Sequence, residues 1–175
     1  MDFEFRILDF IQEYLSSPIM DRIMIFFTML GDAGALWIAV ALYMIISKKH
    51  RRTGIALSIA LLVSSVLGNL ILKPVFARPR PFITKEGMEL LINAPGDFSF
   101  PSGHTLASFV SATVLIMREK KIGLCFLLPA VLISFSRMYL YVHFPTDILA
   151  GILLGVLMGI LSVKVTDRLF EKNIN

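Results

Sequence analysis

Two histidines stand beside residues that suit chemistry on phosphorus. His143 precedes Asp147 by four residues, with Pro145 between them at a position that suits the first residue of a helix. This spacing lets the carboxylate hold one ring nitrogen protonated and leave the other free as a nucleophile. His104 is the second candidate, because an imidazole exchanges protons near neutral pH. The pair indicates nucleophilic and acid–base chemistry.

Four basic residues stand beside apolar segments and suit a phosphate ligand. Burying an unpaired charge next to a membrane span is costly, and an anionic partner is the usual reason to tolerate one. Arginine offers a planar fork of donors to phosphate oxygens, and lysine offers a mobile point charge. The four residues are Lys73, Arg78, Arg80 and Arg137.

The segment Pro101–Ser102–Gly103–His104 precedes an apolar run and predicts the start of a helix. Free backbone N–H groups and the positive end of the helix dipole can face an anion there. Gly103 lets the backbone approach that anion closely. A cap of the helix is the purely structural alternative for Ser102.

Three motifs in this order resemble the signature of the type 2 phosphatidic acid phosphatase superfamily, which also includes the vanadium haloperoxidases. They cover residues 73–147, and each is short, but their order and spacing together are specific. The motifs are Lys73 with Arg80–Pro81, then Pro101–His104, then Ser136–Arg137 with His143 and Asp147.

The resemblance implies a role for each motif residue. His143 is expected to attack phosphorus and form a phosphohistidine, Asp147 to orient it, and His104 to protonate the leaving oxygen. Arg78 lies within the first motif but at no defining position, and it ranks lower. The residues expected to hold the phosphate are Lys73, Arg80, Arg137, Ser102 and the backbone N–H of Gly103.

Composition predicts an all-α, polytopic membrane protein with residues 1–175 in one domain. Hydrophobic residues make up 56% of the 175 residues and charged residues 17%, too apolar for an ordinary soluble domain. The net charge of +4 is divided between short loops and the motifs, so no nucleic-acid partner is expected. Cys125 is the single cysteine, which excludes an intrachain disulfide.

Apolar runs predict five to six transmembrane helices. The first run is interrupted by Asp21 and Arg22, and residues 1–17 favour an interfacial amphipathic helix. Gly151, Gly155 and Gly159 form a small-residue face, interpreted as an intramolecular contact rather than a dimer interface. The runs are 18–30, 33–47, 53–72, 103–117, 122–141 and 145–163.

Basic clusters in short loops predict the orientation. Residues 48–52, 118–121 and 164–172 are rich in lysine and arginine, which places them on the cytoplasmic side. The connection 73–102 and the turn 141–146 then lie outside, so all three motifs meet at the extracytoplasmic face of the cell membrane. Asp97, in that connection, is interpreted as a solvated loop residue, with contact to a substrate head group as the alternative.

The resulting hypothesis is a lipid phosphatase that requires neither metal nor other cofactor. The cations and the helix end can neutralise phosphoryl charge, and no cluster of acidic metal ligands is evident. Undecaprenyl diphosphate and phosphatidylglycerol phosphate are the leading substrates, with phosphatidic acid and lipid A 1-phosphate as further candidates. A vanadium-dependent haloperoxidase and a non-enzymatic protein that binds or transports lipid phosphates are the alternatives.

Overall fold

The computed structural model describes residues 2–85 and 87–172, and the regular elements in them are helices. The absence of strands from these residues confirms the all-α prediction. Residues 1, 86 and 173–175, which the predicted single domain includes, lie outside the described part. The α-helices are α1 (Asp2–Leu15), α2 (Pro18–Gly31), α3 (Ala35–Ile46), α4 (Arg51–Ser65), α5 (Lys73–Phe76), α6 (Pro81–Thr84), α7 (Gly103–Arg118), α8 (Lys120–Tyr139) and α9 (Pro145–Lys172), and a π-helical segment (Val66–Leu72) joins α4 to α5.

Helix α7 lies at the centre of the bundle and packs against α4, α8 and α9. Its inward positions include polar side chains such as Ser108, which accepts a hydrogen bond of 3.1 Å from the indole of Trp37. A buried helix surrounded by protein can carry such hydroxyl groups because its neighbours satisfy them. The helix that begins at the second motif is therefore the one most enclosed by protein.

The small-residue face of α9 lies against α7. A Cβ atom added to Gly155 would lie 2.9 Å from the Cβ of Phe109 and 2.9 Å from the backbone nitrogen of Val110. Gly151 and Gly159 meet Thr105 and Thr113 in the same way. Missing side chains thus let the two helices approach closely, which confirms the intramolecular interpretation.

Four helical segments of the described chain are long and apolar enough to cross a membrane, judged by length and composition. Helix α7 has 16 residues, about 24 Å at the usual rise, and falls short of that length. The predicted break after the first run is present, because Asp32–Gly34 forms a 3₁₀ turn with positive φ at Ala33 and Gly34. The four segments are Pro18–Ile46, Arg51–Thr84, Lys120–Tyr139 and Pro145–Glu171.

The basic loops meet at one end of the bundle. The Nδ1 atom of His50 lies 2.6 Å from the Glu119 carboxylate, which joins the α3–α4 and α7–α8 connections. Arg118 pairs with Asp167 at 2.6 Å, so the end of α9 lies there too. Helix α9 continues beyond the apolar run predicted to end at 163, because charged residues end an apolar run without ending a helix. The motifs lie at the opposite end.

The α7–α9 contact predicts that Gly155→Ala lowers stability. The added methyl group must displace the α7 backbone, and overpacking of this kind costs about 1–3 kcal/mol, more than the gain of at most about 1 kcal/mol in helix propensity. Thermal unfolding in detergent micelles measures the effect. Gly96→Ala is the matched control, because a Cβ atom there meets nothing within 4 Å. Equal melting temperatures for the two variants would contradict the close contact.

Candidate active site

The third motif forms a tight turn between α8 and α9. Arg137 lies in the last turn of α8, and its carbonyl oxygen accepts from the backbone N–H groups of Val142 at 3.1 Å and His143 at 3.2 Å. Both His143 and Asp147 are buried, and the Nδ1 atom of His143 lies 3.4 Å from Oδ2 of Asp147. The four-residue spacing therefore brings the two side chains together as predicted.

Three donors hold the carboxylate of Asp147 in place. The hydroxyl of Ser99 and the backbone N–H of Phe144, at 2.8 Å, donate to Oδ2. Arg78 donates to Oδ1 from 2.7 Å. These partners hold the carboxylate in place beside the ring, where Oδ2 can accept from the Nδ1–H tautomer of His143. No sequence pattern indicated Ser99, although it lies two residues before the second motif.

Arg78 connects this carboxylate to helix α1. Its guanidinium donates to Glu4 at 2.6 Å and to Thr146 at 2.7 Å, and it lies 4.1 Å from the ring centroid of Phe144. Both ion pairs of Arg78 are with protein carboxylates, Glu4 and Asp147. The part played by Glu4 could not be inferred, because α1 carries no part of the signature.

Arg80 faces the free nitrogen of the histidine. Its Nη1 atom donates to the carbonyl oxygen of Val142 at 2.8 Å and lies 3.2 Å from Nε2 of His143. With Nδ1 protonated, Nε2 carries a lone pair that points toward a guanidinium. An anion bound to that guanidinium would lie next to the lone pair.

Lys73, Arg80 and Arg137 are all buried, and we call them the cation cluster. Lys73 and Arg80 both pair with the carboxylate of Asp97, one oxygen to each. Asp97 is an exposed loop residue, as interpreted, but the sequence did not indicate its pairing with two buried cations. Burial alone would raise the pKa of Asp97, but hydrogen bonds and charge from Lys73 and Arg80 lower that pKa to about 2.

Arg137 retains an unused donor. Its Nη1 group donates to the hydroxyl of Thr28, whereas its Nε is buried and has no hydrogen-bond partner among the described residues. A buried donor without a partner costs about 1–3 kcal/mol, and a bound anion would satisfy it.

The second motif begins α7 next to the cluster. Nε2 of His104 lies 3.0 Å from Oδ1 of Asp32, in the turn between α2 and α3, a partner that no sequence pattern indicated. The hydroxyl of Ser102 is fully buried and accepts from Thr105, so it caps α7. Phosphate contact by Ser102 stays a prediction. Gly103 lies at the first position of the helix.

A cavity of about 1110 Å³ brings most of these groups together. Its wall continues from the polar groups to an apolar surface that includes Ile38, Leu42, Leu61 and Leu62. In residues 2–85 and 87–172, no three His, Cys, Asp or Glu side chains are grouped to bind a metal ion. The motif residues that line the cavity are Lys73, Arg80, Gly103, His104, Arg137 and His143.

The sequence and fold of the chain are similar to those of known proteins. The model of the PAP2 superfamily matches residues 53–171. A relative from Sulfolobus acidocaldarius named undecaprenyl-diphosphatase is 38% identical over 131 residues, which are 74% of this chain. The match spans 63% of that relative's length.

The arrangement of helices over nearly the whole chain resembles that in two crystal structures. Aquifex aeolicus LpxE has a TM-score of 0.79 and 33% identity, with 93% of this chain and 95% of that chain covered. A transmembrane PAP2-type phosphatidylglycerolphosphate phosphatase from Bacillus subtilis has a TM-score of 0.74 and 26% identity, with 99% and 87% covered.

The surroundings of His143 predict a pH dependence of stability. Burial lowers the pKa of His143 well below 6.5, and the charges of Arg80, Arg137 and Lys73 lower it further. As pH falls below about 6.5, the unfolded chain binds a proton that folded His143 does not, so stability is lost at up to about 1.4 kcal/mol per pH unit.

Melting temperatures in detergent from about pH 8 to about pH 5 test this expectation. The wild type should lose stability more steeply on acidification than His143→Asn. Other titrating groups are common to both proteins, so the difference between their slopes reports His143. If the melting temperatures of the two proteins fell in parallel with pH, this would contradict a lowered pKa of His143.

Proposed function

Because the chain belongs to the PAP2 superfamily and is a multi-pass membrane protein, we propose that it is a membrane lipid phosphatase acting through a phosphohistidine. The observation that carries the proposal is the position of His143 Nε2, which lies 3.2 Å from Nη1 of Arg80 beside a cavity with an apolar wall. A phosphate bound by the cation cluster would meet the nucleophile while its lipid tail contacts that wall.

The proposed reaction has two steps. Nε2 of His143 attacks phosphorus, and the bond to the leaving oxygen breaks as His104 gives that oxygen a proton. Asp147 stabilises the positive charge that develops on the imidazole ring. Water then attacks the phosphohistidine, His104 takes the proton from this water, and phosphate is released.

The same groups suit the charge of the transition state. Lys73, Arg80 and Arg137 provide cationic donors, and the backbone N–H of Gly103 adds a donor at the start of α7. Such fixed donors act most strongly where charge develops in a site that excludes water. The proposal requires no metal ion, because the cation cluster already carries compensating charge.

Undecaprenyl diphosphate is the substrate we favour, and phosphatidylglycerol phosphate is the second. The apolar cavity wall suits a long lipid tail, and relatives with each activity in their names resemble this chain. Phosphatidic acid and lipid A 1-phosphate are further candidates, and each carries a phosphate monoester, as phosphatidylglycerol phosphate does. A panel of these lipids distinguishes them directly.

We propose five membrane spans, the lower value of the predicted range, with α7 as the fifth span added to the four apolar segments. The contact between Glu4 and Arg78 supports one crossing by residues 18–46, because it lies at the motif end. Helix α1 then lies at the outer interface, where Phe3, Phe10 and Tyr14 are exposed. The basic loops at the other end of the bundle support a cytoplasmic location for that end.

The two alternatives differ in what they would produce. A haloperoxidase would bind vanadate and halogenate with peroxide, whereas a binding or transport protein would retain lipid affinity without phosphate release. The nucleophile geometry at His143 and the apolar cavity wall favour hydrolysis of a lipid phosphate.

Phosphate release from purified lipid phosphates and diphosphates in the presence of EDTA tests the function. We expect His143→Ala to lose nearly all turnover because the nucleophile is absent. Asp147→Asn should retain activity reduced by about 10²–10⁴-fold, because orientation of the ring is impaired rather than removed. Near-normal phosphate release by His143→Ala would rule out the mechanism.

Cysteine labelling in intact cells tests the orientation. In a Cys125→Ser background, Glu89→Cys should react with an impermeant thiol reagent from outside, and Lys120→Cys should not, although both positions are exposed. Permeabilised cells give the control for reactivity at both positions. The opposite pattern would place the motifs on the cytoplasmic side.

A further inference from the structure

Asp97 lies where an anion bound by the cation cluster would lie. Its Oδ2 atom pairs with Nζ of Lys73 and its Oδ1 atom with Nη2 of Arg80. Both cations are buried, with 6% and 2% of their side chains exposed, whereas the Asp97 side chain is 55% exposed and lines the cavity. The carboxylate therefore reaches the cations from the side on which a substrate enters.

The backbone around Asp97 is held independently of its side chain. Arg80 donates from Nε to the carbonyl oxygen of Asp97 at 2.8 Å, and Lys73 donates to that of Phe98 at 2.9 Å. The backbone N–H of Ser99 donates to the carbonyl oxygen of Arg78 at 2.9 Å. These bonds can persist while the carboxylate rotates away.

A phosphate and the Asp97 carboxylate cannot occupy these donors together. Lys73, Arg80 and Asp97 all line the cavity, and two anions at hydrogen-bond distance from the same cations repel each other. An anion that uses these donors must displace Asp97, and its apparent affinity is its intrinsic affinity multiplied by the fraction of molecules in which the carboxylate has already left.

We propose that Asp97 is a built-in anionic competitor that makes the cation cluster selective for highly charged phosphate groups. A phosphate monoester or diphosphate carries more negative charge than a carboxylate and can displace it. A phosphodiester is the phosphate group in most membrane phospholipids. Two of its oxygens are esterified, so it carries a single negative charge and competes poorly with the carboxylate. When the carboxylate returns, it also favours release of inorganic phosphate.

This inference rests on the proposed function of the cation cluster as the phosphate site. The low pKa of Asp97 is consistent with it, since the carboxylate stays charged at neutral pH. The other interpretation is that Asp97 only neutralises and positions two buried cations. In that case loss of the carboxylate would free Lys73 and Arg80 from the positions in which they bind phosphate, and phosphate affinity would stay unchanged or fall.

Direct binding of inorganic phosphate to purified protein in detergent tests the competition. Isothermal titration should show that Asp97→Asn binds phosphate on the order of 10-fold more tightly than the wild type, within the usual range of coupling between two ligands. Asp97→Glu should stay close to the wild type because it keeps the charge. Glu89→Gln is the matched control, an exposed carboxylate of the same connection, and should change nothing.

A second measurement keeps the test valid if Asp97→Asn folds poorly. Added phosphatidylglycerol should inhibit phosphate release from a lipid diphosphate more strongly in Asp97→Ser than in the wild type. Equal or weaker phosphate binding by Asp97→Asn, or unchanged inhibition in Asp97→Ser, would overturn the inference. Failure of the proposed function would look different, because the wild type itself would then release no phosphate from any lipid.

Discussion

Burial of positive charge is the constraint on which the motif end of this bundle depends. Lys73, Arg80 and Arg137 are withdrawn from water in a chain that is mostly apolar, where an uncompensated cation is costly. Asp97 pairs with Lys73 and Arg80, and Asp147 pairs with the neighbouring cation Arg78. An arrangement with excess buried positive charge is prepared for one more anion.

Close packing of α7 against α9 holds the second and third motifs next to each other. Gly151 of α9 brings the start of α7 close, since a Cβ atom there would lie 3.1 Å from the carbonyl oxygen of Ser102. The backbone N–H of Ser102 in turn donates to the carbonyl oxygen of Asp147 at 3.2 Å. The second and third motifs are therefore joined through backbone atoms, which holds the two motifs in a fixed relative position.

The sequence predicted the helical class, the break at residues 32–34 and the convergence of the motifs. Those features depend on local chemistry, such as apolar periodicity, glycine in a turn, and the four-residue spacing of His143 and Asp147. It did not predict the partners Asp32, Asp97 and Ser99, nor the engagement of Arg78 with Glu4. An acidic residue in a loop has the same local signature whether it faces water or a buried cation, and only tertiary contacts decide between them.

The N-terminal helices extend the site beyond its three motifs. Glu4 contacts Arg78, Thr28 contacts Arg137, and Asp32 contacts His104. A fragment beginning at α4 would retain every motif residue and lose all three of these contacts. The smallest unit that can hold the site in this geometry is accordingly larger than the stretch of chain that carries its signature, and a boundary drawn from the motifs alone would cut through the site.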